Sequence, residues 1–224
     1  MEINNPLYKN QGIHVITTIF TVDNGITKVL LIKRNNKPFK DMWALVGGAL
    51  YNNEELDIGI KREVREKIGL DIKNIEMFDV FSKVDRSPLM RMIAVGYIGI
   101  VDSSKVEVIK RTVKTSDADW VPIDKVGKLA YDHNDILIKA IETLKQKIVN
   151  TDILKSFFPN GFTLPEIYEI YEVILDIKLD RRNFRKKMLS LDLIYDTGFT
   201  KIFKGTKPAK IYMFKNNRKS KNVF

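Results

Sequence analysis

Between Gly48 and Leu70 the chain spaces charged side chains so that they can act together: Gly48, Glu54, Arg62, Glu63, Val64, Glu66, Lys67, Gly69 and Leu70. If the segment is helical, Glu63, Glu66 and position 67 are i, i+3 and i+4 and project from one face. Three carboxylates there would repel one another unless a divalent cation held them, and hard cations take such oxygen ligands. A cation so held polarises phosphoryl oxygens and activates water. Lys67 alters the arithmetic. Glu63 and Lys67 form a Glu-to-Lys i, i+4 pair in the favoured orientation, contributing about 0.2–0.5 kcal/mol to the helix. An ammonium now stands where a metal would. The remaining pair, Glu63 and Glu66, could hold at most a weak Mg²⁺, and no cofactor is required. The scaffold is kept while the metal centre is spoiled, which leaves turnover in doubt.

The elements around this face are mixed. HVITTIFTV alternates and is β-branched, Asp23-Asn24-Gly25 is a hairpin signal, and KVLLIKR is a second strand. A helix is predicted from about Asn53 to Ile68, ended by Gly69. IEMFDVFSKV and MRMIAVGYIGIV read as a strand pair around Asp85-Arg86-Ser87-Pro88, DADWVPI as a short strand, and Asp135 to about Val149 as an amphipathic helix. Mixed strands with helices suit an α/β (α+β) sandwich. FFPNGFT is a breaker cluster that places a boundary near Asn150 to Gly161, giving units 1–150 and 151–224.

The last third reads differently. Thr163 can N-cap a helix with Pro165 at N2 and Glu166 completing a capping box. That helix, TLPEIYEIYEVIL, presents Leu164, Ile167, Tyr168, Tyr171, Ile174 and Leu175. Asp180 can cap a second helix, RRNFRKKMLSL, with Leu179 and Phe184 as a hydrophobic staple. Arg181, Arg182, Asn183, Arg185 and Lys186 crowd its N-terminal half, where the helix dipole disfavours cations by about 0.3–1 kcal/mol each. A DNA backbone offsets that cost, and Arg and Asn suit guanine and adenine edges. LIYDTG, TKIFKG and KIYMF then make short strands with a tip at Gly205-Thr206-Lys207-Pro208. The pattern is a winged helix-turn-helix, its wing carrying Lys204, Lys207 and Lys210.

Whole-chain composition agrees. The net charge is +10; residues 151–224 hold 15 Lys/Arg and 8 Asp/Glu, so +7 sits in that third and +3 in the rest. Such concentration points to a polyanion partner. Absence of Cys excludes disulfides and thiolate zinc sites and fits a reducing cytoplasm. MEINNPLYKN has no apolar h-region and no run approaches 18 apolar residues, so neither secretion nor membrane spanning is expected. The tail KNNRKSKNVF is polar enough to fray.

The segment GGALYNNEELDIGIKREVREKIGL resembles a Nudix box, with Lys67 replacing the second Glu of its E-E pair and Val46 standing where a Pro is usual. Both halves together resemble the Nudix-related transcriptional regulators, the NrtR family. LAYDHNDIL, LDRRNFRKKMLSLDLI and GTKPAKIYMF carry the resemblance, with PFKDMWALVGGAL and VDRSPLMRMIAVGY. It implies a homodimeric repressor on a palindromic operator, released by ADP-ribose or a related NAD-linked nucleotide, or by a pentose in sugar-responsive relatives. An active ADP-ribose pyrophosphatase and an RNA-facing Nudix protein are the other readings. The effector pocket is expected beside the box helix, with Arg34, Arg86 and Arg91 meeting a diphosphate and Phe39 or Trp43 flanking a ring. His133 is expected to be structural or helix-capping, and His14 a packed or edge residue.

Overall fold

The structure, a computed structural model, describes residues 5, 9–72, 74–150, 153–155, 157–205 and 207–215. Most of the N-terminal decapeptide and the tail beyond Lys215 therefore lie outside the described residues.

The β-branched N-terminal runs form β1 (Gly12–Asp23) and β2 (Ile26–Arg34), an antiparallel hairpin. Its tip needs two positive φ values, 51° at Asn24 and 74° at Gly25, which the Asn-Gly pair supplies. β3 (Trp43–Ala44) and β4 (Val46–Ala49) follow, then helix α1 (Leu56–Ile68), β5 (Glu76–Phe81), β6 (Met92–Ile100) and β7 (Thr115–Pro122). All seven strands join one sheet of order β3-β2-β1-β6-β5, with β4 also on β1 and β7 also on β2. Among the described residues only the β1–β6 pair of this sheet is parallel.

Alternation along β1 sends Val15 and Ile19 to one face and Ile16 and Phe20 to the other. On the first face α1 buries Ile60, Val64 and Ile68. On the second, helix α2 (His133–Asn150) buries Ile136, Leu137, Ala140, Leu144 and Ile148. Each Val, Leu or Ile among them contributes about 1.5–3 kcal/mol on leaving water. The result is the expected α/β sandwich.

α1 begins at Leu56, three residues later than expected. The cause is local: the Tyr51 N–H donates to the Glu54 carboxylate at 2.8 Å, closing a turn where a first helical turn would stand.

After α2 come β8 (Phe162–Thr163), α3 (Leu164–Leu175), α4 (Arg181–Ser190), β9 (Ile194–Lys201) and β10 (Ala209–Phe214). The three strands form a second sheet of order β8-β10-β9. Both caps are present. The Thr163 N–H donates to Glu166 at 2.6 Å while Thr163 Oγ1 accepts from the Glu166 N–H at 3.4 Å, and Asp180 accepts from the Asn183 N–H at 2.7 Å. The apolar face of α3 differs at Ile170, Tyr168 and Leu175, the last of which is half-buried. Ile170 is buried with Leu164, Ile167, Tyr171 and Ile174. Tyr168 is only half-buried, because its hydroxyl lies 2.8 Å from both Glu172 and the Leu179 carbonyl.

The breaker segment is not a solvated linker. Phe157, Phe158 and Phe162 are buried with Ile153 and Leu154, and the same core runs from Ile16 and Phe20 through α2 to Phe184 and Met188. Pro159, Asn160 and Gly161 form a turn, the Gly161 N–H donating to the Phe158 carbonyl at 3.1 Å, and the aromatic residues around them seal the seam between the two sheets.

Candidate functional site

β4 and α1 place the charged face. Arg62 is its hub. Its Nε and Nη2 donate to Glu54 at 2.9 and 2.5 Å, its Nη1 donates to Glu63 at 2.5 Å, and Nη2 also reaches the Ala49 carbonyl at 2.9 Å. The guanidinium also lies 3.7 Å from the centroid of the Tyr51 ring. The Arg62 hydrogen bond holds the Glu54 carboxyl down to about 2. Glu63 is buried, and a Cβ on Gly48 would fall 2.4 Å from its carboxylate, so only glycine lets the strand pass beneath it.

Lys67 Nζ sits 3.2 Å from the other Glu63 oxygen and donates to the Gly47 carbonyl. Burial lowers its pKa against the pull of Glu63. Lys114, immediately before β7, pairs with Glu66 and stands 3.9 Å from Glu63. The Glu66 hydrogen bond raises the Lys114 pKa, and Lys114 in turn lowers that of Glu66. Glu63 and Glu66, the carboxylates considered for a weak Mg²⁺, are thus both occupied by cations. Among the described residues no group of three or more His, Cys, Asp or Glu is arranged to hold a metal ion.

Two hollows open here and share Ala49 and Tyr51. A cleft of about 270 Å³ is lined by Arg34, Gly48, Glu63, Lys67 and Lys114 among others. A neighbouring hollow of about 530 Å³ is lined by His14, Leu50, Glu54, Leu89, Met90 and Tyr131 among others. His14 borders a cavity rather than merely filling an edge; burial, helped by Arg86, pushes its pKa down to about 4.

Of the five residues expected to hold the effector, Arg34 alone lines either hollow. Its guanidinium donates to the Pro38 carbonyl at 3.1 and 2.9 Å and lies 5.0 Å from the Tyr131 ring centroid. The other four make contacts elsewhere. Arg86 is 6% exposed and grips Asp132 through two hydrogen bonds of 2.9 and 2.8 Å, pinning the β5–β6 loop to the head of α2. Arg91 donates to the Lys83 carbonyl at 2.9 Å and closes its own loop. Phe39, half-buried, packs edge-on to Tyr131, at 4.6 Å between centroids, against the core on the α1 side. Trp43 packs half-buried against the α2-side core, its carbonyl accepting from the Ala130 N–H at 2.8 Å. His133 is structural, as expected, but not a cap. Its Nδ1 accepts the Leu45 N–H at 3.1 Å, and burial holds its pKa well below the usual range. Tyr51 and Lys114 are the lining residues that sequence reasoning missed. Tyr51 lies inside the box interval and was available to find; Lys114 sits in a polar stretch with no periodic signal.

At the other end of the molecule α4 presents Arg181, Arg182, Asn183, Arg185 and Lys186 to solvent, anchored only by buried Phe184 and Met188. On the wing, Lys207 is exposed, Lys204 pairs with Glu169 of α3, and Lys210 pairs with Asp196 at 2.7 Å.

A mixed-sheet sandwich carrying a box helix, continued by a winged helix with a basic second helix, defines a two-part regulator architecture. The family model of the NUDIX domain matches residues 12–144, and that of the NrtR DNA-binding winged helix domain matches 154–214. The chain is 32% identical, over 92% of its length and 83% of the relative's, to the ADPR responsive transcriptional repressor NtrR of Acinetobacter baylyi. It is similar to the crystal structure of Shewanella oneidensis NrtR complexed with a 27mer DNA, with TM-score 0.77 and 27% identity over 91% of this chain and 93% of that one. The NUDIX domain of the same Shewanella protein, complexed with ADP ribose, matches with TM-score 0.57 and 28% identity over 62% of this chain and 93% of that one. The chain belongs to the NrtR family of Nudix-related transcriptional regulators.

Proposed function

We propose that this chain is a DNA-binding transcriptional repressor whose Nudix domain senses ADP-ribose or a related NAD-linked nucleotide. It acts in the cytoplasm as a homodimer, and a two-fold dimer calls for a palindromic operator. The observation that carries the reading is the solvent face of α4. Five polar or cationic side chains stand there at a helix N-terminus with two buried anchors beneath them. The repressor NtrR of Acinetobacter baylyi, similar over nearly the whole chain, supports it.

The effector class follows from charge. Arg34, Lys67 and Lys114 line one cleft, and Arg and Lys recognise phosphate. A pentose would leave that cluster without an anion. The pyrophosphatase reading loses support because cations already occupy the box carboxylates.

The test is binding of the full chain to the duplex upstream of its own gene, measured beside a scrambled duplex of equal length. Tighter binding to the upstream duplex is expected, with affinity falling steeply as salt rises. Equal binding to both would remove the repressor reading.

A further inference from the structure

Nudix hydrolases place a divalent cation on the box carboxylates, and the residues of this chain do not fit one. Glu63 lies 2.5 Å from Arg62 Nη1 through one oxygen and 3.2 Å from Lys67 Nζ through the other. Glu66 is held by Lys114, and Glu54 by Arg62. Across this face four cations, Arg34, Arg62, Lys67 and Lys114, meet three carboxylates, Glu54, Glu63 and Glu66. A Glu at position 67 would turn that excess of one positive charge into an excess of one negative charge, which is the condition that calls for a metal. With Lys67 in place, the site calls for an anion.

We propose that this cleft binds a diphosphate directly on Lys67, Lys114 and Arg34, with no bridging divalent cation. The proposal deepens the effector reading above and rests on it for the identity of the nucleotide, though not for the diphosphate itself. Three features support it. The cleft is lined by these three cations together with Gly48 and Ala49, which carry little or no side chain to obstruct an anion. An ammonium carries three donors. Lys114 spends one on Glu66, with Glu63 at 3.9 Å, and 38% of its side chain remains exposed toward solvent. The larger hollow opens next door across Tyr51, a residue 47% exposed whose ring is supported by the Arg62 guanidinium. Tyr51 therefore offers a stacking wall for the ring system that a dinucleotide or sugar nucleotide attaches to its diphosphate.

Calorimetric titration of the full chain with inorganic pyrophosphate and with ADP-ribose, each in EDTA and then in Mg²⁺, tests this. Expected are binding in EDTA, no tightening when Mg²⁺ is added, and weakening by about tenfold or more in Lys114→Met, because a hydrogen bond to a charged group is lost. Lys114 is half-exposed, so its loss should leave the fold intact; an unchanged thermal midpoint verifies this. In the reciprocal variant, Lys67→Glu, binding should become dependent on Mg²⁺. If pyrophosphate binds in EDTA while ADP-ribose does not, the effector reading fails and the metal-free diphosphate site stands. Binding of both ligands only in Mg²⁺, binding of neither in EDTA, or affinity within about twofold in Lys114→Met overturns the proposal.

Discussion

Lys204 on the wing places its Nζ 2.5 and 2.7 Å from the two carboxylate oxygens of Glu169 on α3. The wing is thus tied to the first helix of the helix-turn-helix by a cation that a DNA phosphate would also seek. Lys201 pairs with Glu166 at 2.9 Å in the same way. Partly exposed surface pairs of this kind contribute about 0–1 kcal/mol, so DNA can compete for them. Glu169→Gln should tighten operator binding by up to about fivefold and steepen the log–log salt slope by about 0.9 for each further phosphate neutralised. Fluorescence anisotropy across a salt series measures both; weaker binding in the variant would place Lys204 away from the DNA.

On α4 two kinds of contact are expected. Arg181→Ala, Arg182→Ala or Asn183→Ala should cost about 1–3 kcal/mol wherever the side chain reads a base edge, and should relax preference at that base. Lys186→Ala should weaken all sequences alike. Competition against single-base operator variants distinguishes the outcomes, and uniform small losses at all four positions would contradict a recognition-helix role.

Arg86 belongs to the scaffold. Removing one partner of a buried pair leaves the other charge uncompensated, typically at about 3–5 kcal/mol. Arg86→Ala should therefore lower the urea midpoint strongly, and Arg86→Met with Asp132→Leu should recover much of the loss. A stable Arg86→Ala protein with impaired ADP-ribose binding would return Arg86 to the pocket.

Acid should weaken the fold through His133. Burial, aided by the nearby Arg86 charge, depresses its pKa in the folded chain. Protonation then favours the unfolded chain, whose imidazole titrates near about 6.5. The stabilisation is complete above that pH and is lost as pH falls below it, by up to about 1.4 kcal/mol per pH unit for one proton. Unfolding free energies measured between pH 7.5 and 5 should fall more steeply for the native chain than for His133→Gln. Equal slopes would mean that the imidazole is not buried in its neutral form.

Local signals were legible in the sequence because they involve neighbours. Thr163 with Glu166, Asp180 with Asn183, and Asn24 with Gly25 declare their geometry within four residues, and all three stand as read. The box register was equally plain, and Lys67 marked its altered charge. What could not be read was the distant partner. Arg86 resembles a ligand arginine until Asp132, 46 residues on, arrives beside it. Lys114 joins Glu66 across 48 residues, through strand pairing that brings β7 beside β2. Phe157, Phe158 and Phe162 lay among breakers, and only tertiary packing of α2 against α3 turns them inward.

The coupling of the two halves is tested most directly by titrating ADP-ribose into the preformed complex of the full chain with its upstream duplex, with arabinose and xylose as parallel arms. An effector shifts the equilibrium only through its different affinities for free and DNA-bound protein, and couplings of about 1–3 kcal/mol change affinity about 5–150-fold. Release by ADP-ribose within that range is expected, and none by either pentose. Release by a pentose alone, or an operator affinity that ADP-ribose leaves unchanged, would contradict this.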